Sequence, residues 1–180
     1  MQTLIQKLIS GNATYLASGK NLGDVSASRR EQTVAGQNPY AVVLTCSDSR
    51  VIPETIFSAG IGDLFVIRVA GNVATDSVLA SVEYAVDHLG CQLVVVLGHT
   101  HCGAVDAALR HEPTGYVKIL TDKIRQAIGA ETDPLAATKQ NATHTAERIN
   151  AALHITCTVP ALSDIATGKV QFLGCFIFYK

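Results

Sequence analysis

Three short apolar runs punctuate the first part of the chain: Ala41-Val42-Val43-Leu44, Leu64-Phe65-Val66-Ile67 and Leu93-Val94-Val95-Val96-Leu97. None alternates with polar residues. A strand with one face in water alternates, whereas a strand covered on both faces does not. The runs therefore predict a parallel sheet with helices on both sides. The segments between them carry helical spacing. Residues 52–59 place Pro53 where a helix begins. Residues 76–89 repeat Val78, Leu79, Val82, Ala85, Val86 and Leu89, with Asp76 or Ser77 as cap. Further helices are expected at 104–110, 117–128 and 135–153, the last opening at Pro134. Strands are expected at 155–159 and 170–173, joined by a turn near Thr167-Gly168. Ahead of the sheet, residues 2–17 read as an amphipathic helix interrupted at Gly11-Asn12, and 27–36 as a short helix ending at Gly36. The expectation is an α/β fold in one domain over 1–180. Its core is a parallel sheet of about four strands, with a possible fifth edge strand, and residues 1–36 form a helical arm.

Composition narrows the partners. Hydrophobic residues make up 48% of the 180 and charged residues 16%, with a net charge of -1. That balance leaves no electrostatic footprint for nucleic acid or an anionic membrane and points to a small molecule. The high apolar fraction also suggests surface covered by other subunits. No run approaches the roughly 18 apolar residues of a membrane helix, and the N-terminal stretch lacks the pattern of a signal peptide, so a cytoplasmic protein is expected. The triplets at Asn12 and Asn141 match glycosylation sequons, which carry no meaning without secretion. Five cysteines, an odd number, do not make a disulfide framework.

Two segments carry chemistry. Thr45-Cys46-Ser47-Asp48-Ser49-Arg50 follows the first apolar run, and Gly98-His99-Thr100-His101-Cys102-Gly103 follows the third. Parallel sheets bind ligands at strand C-terminal ends. His99 and Cys102, three apart on a turn, can reach one ion, and Cys46 arrives from a neighbouring strand. Two thiolates and an imidazole suit Zn2+ and leave a fourth position for water or substrate. Asp48 beside Arg50 stays ionised; it either accepts a hydrogen bond from that water or binds zinc and closes the site. The plainer reading is a capping turn with a surface ion pair, buried core thiols and a hydrogen-bonded histidine. Spacing alone leaves both open.

Together the two motifs, Cys-x-Asp-x-Arg and His-x-x-Cys-Gly, resemble the β-class carbonic anhydrases. Gln37-Asn38-Pro39, the segment from Gly62 to Arg68, Ala70-Gly71-Asn72, Ser81 to Val86 and Asp164 to Val170 extend the resemblance over most of residues 1–173. It implies a zinc enzyme in which zinc-bound hydroxide hydrates carbon dioxide reversibly to bicarbonate and a proton. It implies Cys46, His99 and Cys102 as zinc ligands, one ion per chain, and Asp48 and Arg50 as a catalytic dyad. Gln37 and the Gly103 N–H would donate to substrate. Phe65, Ala70 and Tyr84 would form an apolar wall, with Tyr84 reaching across a dimer interface. A homodimer is implied as the minimal unit, and a homotetramer is compatible with it. An allosteric form of the family carries Trp where this chain has Val43, so Asp48 is expected to stay on Arg50. Ser163 replaces the usual Tyr of the late segment, and the short stretch between the last helix and the final strands leaves the fifth strand and tetramer contacts open. A close alternative is a hydrolase of carbonyl sulfide or carbon disulfide using the same site. More distant ones are a closed, non-catalytic zinc site and a thiol redox protein, which the lack of Cys-x-x-Cys disfavours. Gly60-Ile61-Gly62 precedes a strand and is no dinucleotide fingerprint. Cys91 and Cys157 are expected in the core or an interface, Cys175 in a tail, and His88, His111, His144 and His154 at the surface or at helix caps.

Overall fold

The computed structural model describes residues 2–110, 113–155, 157–174 and 176–177. In chain order the helices are α1 (Gln2–Ser18), α2 (Ala27–Gln32), α3 (Pro53–Ile56), α4 (Asp76–Asp87), α5 (Gly103–Arg110), α6 (Val117–Ile128) and α7 (Pro134–Leu153). The strands are β1 (Ala41–Thr45), β2 (Leu64–Arg68), β3 (Leu93–His99), β4 (Cys157–Ser163), β5 (Val170–Phe172) and β6 (Phe176–Ile177). The sheet runs β2-β1-β3-β4-β5, with β6 also on β4. β2, β1, β3 and β4 are parallel; β5 and β6 join β4 antiparallel. The four-strand parallel core and the edge strand are as expected.

The apolar runs are continuous because both faces are covered. Every residue of β1 and β3 is buried. Val42, Leu44, Val94 and Val96 face Val78 and Val82 of α4 and Ala142, Ala146 and Ile149 of α7. The alternate residues Ala41, Val43, Leu93, Val95 and Leu97 face Leu8 of α1 and Ile56 and Phe57 at the end of α3. A third cluster lies beyond the strand ends, where Val73, Val105, Ile124 and Ile128 pack around Cys46 and Cys102. Among the described residues no helix is long and apolar enough to cross a membrane.

Several boundaries differ from expectation for identifiable reasons. α1 is not interrupted at Gly11-Asn12. Gly11 is a docking surface: a Cβ there would lie 1.9 Å from the Phe57 carbonyl oxygen. Asn12 is buried, donating to the carbonyls of Ile56 (3.0 Å) and Gly168 (2.9 Å) and accepting from the Val170 N–H (3.0 Å). α2 stops at Gln32, short of Gly36. α4 is capped by Thr75, whose side chain accepts from the Val78 N–H, rather than by Asp76 or Ser77. The strand expected to stop at 159 continues through Pro160 to Ser163. Pro160 fits because its carbonyl accepts from Leu173, so its missing N–H lies toward the segment where the chain leaves β5, and the ladder to β3 is intact.

Removing the Asn12 amide strands two carbonyls and one N–H in a buried seam. Asn12→Ala is expected to cost about 2–4 kcal/mol of folding stability, read as a lowered urea midpoint with unchanged slope. A loss under about 1 kcal/mol would mean water replaces the amide and the docking argument is wrong.

Candidate metal centre

Cys46 follows the last residue of β1, and His99 is the last residue of β3. The two strands are neighbours, with Thr45 opposite Leu97, so topology alone brings these side chains to one end of the sheet. His101 has a left-handed φ of 55°, turning the chain after β3 so that Cys102 leads into α5, where its carbonyl accepts from the Asp106 N–H. The ligand atoms of Cys46, His99 and Cys102 all lie within 4.8 Å of one another, and all three residues are buried.

The histidine has the tautomer and the open nitrogen that a metal ligand needs. Its Nδ1 lies 2.9 Å from the Thr100 carbonyl, which can only accept, so Nδ1 carries the proton. Nε2 is left with a free lone pair, buried and, among the described residues, without a hydrogen-bond partner. An orphaned buried nitrogen facing two sulfurs is costly in a plain core and expected in a ligand set. Cys46 Sγ accepts from the Gly71 N–H at 3.3 Å. The Cys102 thiol, then the nearby His99 and the Gly71 and Asp48 N–H groups, hold the Cys46 thiol well below its usual range against the effect of burial. The same pairing, reinforced by burial, pushes the Cys102 thiol up. Burial opposes charge on His99, but the Cys46 sulfur and the Thr100 carbonyl outweigh it and raise its pKa. The coupling favours ionising Cys46 ahead of Cys102, and the donors of the trio suit a borderline-soft ion.

Asp48 stands at the edge of the trio, its Oδ2 3.9 Å from His99 Nε2. Arg50 grips it through Nε to Oδ1 (2.9 Å) and a terminal nitrogen to Oδ2 (2.7 Å), and the Arg50 N–H adds a third bond to Oδ1. This grip, led by the Arg50 side chain, keeps the carboxyl well below the usual carboxylate range. Arg50 also donates to the His101 carbonyl at 3.3 Å, joining the two motif loops.

The structure therefore brings together Cys46, Asp48, Arg50, His99 and Cys102. Gly103 is exposed as the first residue of α5, and Ala70 opens a 3-10 turn at Ala70–Asn72. Gln37 is exposed ahead of β1, Phe65 is half-buried on β2, and Tyr84 is exposed on α4 with its ring 6.2 Å from that of Phe65. Within one chain, among the described residues, no hydrogen bond, ion pair or ring contact ties Gln37, Phe65 or Tyr84 to the trio.

Sequence reasoning missed Arg68 as a site residue. It donates to the carbonyls of Cys46 (3.1 Å) and Asp48 (2.6 Å), fixing the loop that carries both. The sequence held only the hint that Arg68 closes an apolar run; the observed pairing with β1 is what sets it opposite Thr45. Cys91 and Cys157 are buried as expected, and His88 and His154 cap α4 and α7. His144 is exposed. His111 and Cys175 lie outside the described residues.

Residues 41–179 match the family model described as carbonic anhydrase. Carbonic anhydrase 2 of Mycobacterium tuberculosis is 43% identical over 126 residues, which is 67% of this chain and 61% of that one. The carbonic anhydrase of Mycolicibacterium smegmatis is 41% identical over the same length and shares. The matched stretch thus spans about three fifths of these relatives. One of two tetrameric β-carbonic anhydrases of the ascomycete Sordaria macrospora superposes with a TM-score of 0.70 at 26% identity, covering 97% of this chain and 98% of that one. A cysteine–histidine–cysteine cluster where β1 and β3 end, on a chain matched by that model over most of its length, leads to one assignment: this chain belongs to the β-class carbonic anhydrase family.

Proposed function

We propose that the protein hydrates carbon dioxide reversibly to bicarbonate and a proton, at a zinc ion held by Cys46, His99 and Cys102. The observation that carries this reading is the buried trio within 4.8 Å, flanked by an Asp48 fixed on Arg50. Bound there, zinc supplies Lewis acidity that makes hydroxide chemistry accessible near neutral pH. The chain's own groups supply the rest. Asp48, kept ionised, accepts a hydrogen bond and so orients a proton-bearing nucleophile beside the trio. Arg50 keeps that carboxylate from turning toward the metal. The Gly103 N–H and Gln37 donate to charge developing on substrate oxygen. Phe65, Ala70 and Tyr84 form an apolar wall suited to a small nonpolar molecule.

Because Tyr84 and Gln37 are exposed and do not contact the trio in one chain, a second copy bringing them to it fits best. A homodimer or homotetramer is further supported by Ile9, Leu16, Leu22, Val25 and Val34 of the N-terminal arm, apolar residues left exposed in the single chain. Thiol ligands also favour the reducing cytoplasm.

The test is stopped-flow CO2 hydration on zinc-quantified protein from pH 6.5 to 9. A rate proportional to zinc content supports the reading. Zinc-loaded protein inert toward CO2 but active on carbonyl sulfide would replace it with the sulfur-substrate hydrolase. Metal uptake has its own signature. A cysteine must be a thiolate to bind zinc, so any proton left on the pair is released on binding and zinc affinity is expected to rise with pH. The apparent Kd is expected to fall about tenfold per pH unit around neutrality, measured by competition with a chromophoric chelator. A flat Kd would mean that binding releases no proton.

A further inference from the structure

We infer that Asn141, in the middle of α7, positions the thiolate of Cys46 through the backbone of Gly71. The inference rests on the zinc reading above and concerns only how this chain tunes one of its ligands.

Asn141 is 1% exposed. Its Nδ2 donates to the Gly71 carbonyl at 2.8 Å, and the Gly71 N–H donates to Cys46 Sγ at 3.3 Å. One residue therefore faces the helix with its carbonyl and the sulfur with its N–H. Its conformation is unusual. Gly71 has φ of 74° and Asn72 of 44°, both left-handed, inside a 3-10 turn. A Cβ on Gly71 would lie 2.7 Å from Ile124 Cδ1 and 3.2 Å from Ala104 Cβ, so the turn sits in a fitted slot. A slot of apolar side chains fixes where the turn lies. It does not fix the rotation of the flanking peptides, and that rotation decides whether the N–H points at sulfur. Asn141 anchors it from the carbonyl side.

The amide is poorly served by its own surroundings. Among the described residues, Asn141 Oδ1 is buried with no hydrogen-bond partner, and so is Asn72 Nδ2. A role in packing alone does not account for a core amide that leaves its oxygen unsatisfied. A directed N–H does. An amide hydrogen bond to a thiolate spreads the sulfur's charge and aligns its lone pairs, the way groups that hydrogen-bond metal ligands tune affinity.

The experiment uses the full chain as wild type, Asn141→Ala, Asn141→Ser and Asn150→Ala. Asn150 is also buried on α7, with the Thr158 hydroxyl 3.5 Å from its side-chain oxygen on β4 and no link to the turn. Two properties are read: the zinc Kd by chelator competition, and the thiolate-to-metal charge-transfer band of the cobalt(II)-substituted protein. Both Asn141 variants are expected to raise the Kd about tenfold, the lower end for groups that hydrogen-bond metal ligands. They are also expected to move the band to lower energy, because a thiolate stripped of its N–H donates more readily. Asn150→Ala is expected to lower stability and leave both readings in place. Wild-type Kd and band in the Asn141 variants would overturn the inference, and so would equal shifts in Asn150→Ala. If the alanine variant is not recovered folded, the serine variant carries the same comparison. Wild-type protein that takes up no zinc fails the zinc reading; uptake with unaltered variants fails only this one.

Discussion

Cys46→Ala is expected to take CO2 hydration to the buffer background and to abolish stoichiometric zinc binding. The reason is geometric. On the proposed ligand set of two sulfurs and one nitrogen, losing one leaves His99 and Cys102 in a buried pocket where the side chains around Cys46 and Cys102 are mostly apolar. The affinity loss should exceed the roughly 100-fold ceiling for groups that act on a ligand indirectly. The fold should survive, because the pocket walls are built by Val73, Val105, Ile124 and Ile128 rather than by the sulfur. Cys91→Ala is the matched control. Cys91 is as buried, and its Sγ donates to the Pro39 carbonyl at 3.2 Å, away from the trio. It should keep both zinc and rate. Retention of zinc by the Cys46 variant, measured by elemental analysis after dialysis, would show that the trio is not the metal site.

The convergence of the candidate site residues was legible in the sequence because each half of the cluster abuts a strand that announces itself. Residues 41–44 and 93–97 have no polar alternation, and chemistry placed at the ends of two such runs converges if the strands are neighbours, as β1 and β3 are. α7 was equally plain, its start marked by Asp133, which accepts from the Ala136 N–H, followed by Pro134. What escaped reading depends on partners distant in sequence. Gly11 looked like a helix breaker because nothing nearby shows the Phe57 carbonyl that needs its bare Cα. Asn12 and Asn141 looked like chance sequons, yet both are buried, and both donate to backbone carbonyls far along the chain. A buried asparagine leaves no periodic trace; its role is fixed by one hydrogen bond that only the folded chain contains. The expected strand stopped at 159, short of Pro160, for the same reason, since only the sheet order shows that the absent N–H is not needed.

Asp48→Asn separates charge from shape at the dyad. The amide keeps the size of the carboxylate but accepts at one oxygen only, so the two-pronged grip of Arg50 is lost. kcat is expected to fall about 10²–10³-fold with zinc content unchanged, the usual cost of removing a placed proton acceptor or charge stabiliser. The pH dependence discriminates further. The Asp48 carboxyl is held below its ordinary value of 3.8 in the folded chain, chiefly by Arg50. The pair's contribution is then fully present above the unfolded carboxylate value and is lost only as pH falls through the lower folded one. Between pH 6.5 and 9 Asp48 does not titrate, so the ratio of wild-type to variant kcat should be flat across that window. A ratio that swings with pH would mean the carboxylate leaves Arg50 and takes a second role there. A kcat within about threefold of wild type would reduce the dyad to a loop staple. Arg50→Gln tests the other half. Arg50 is more exposed than Asp48, 55% against 16%, so its value lies in holding the carboxylate rather than in burying charge. If the two act as one unit, the double variant should be no slower than the worse single variant, and multiplicative losses would show that they act separately.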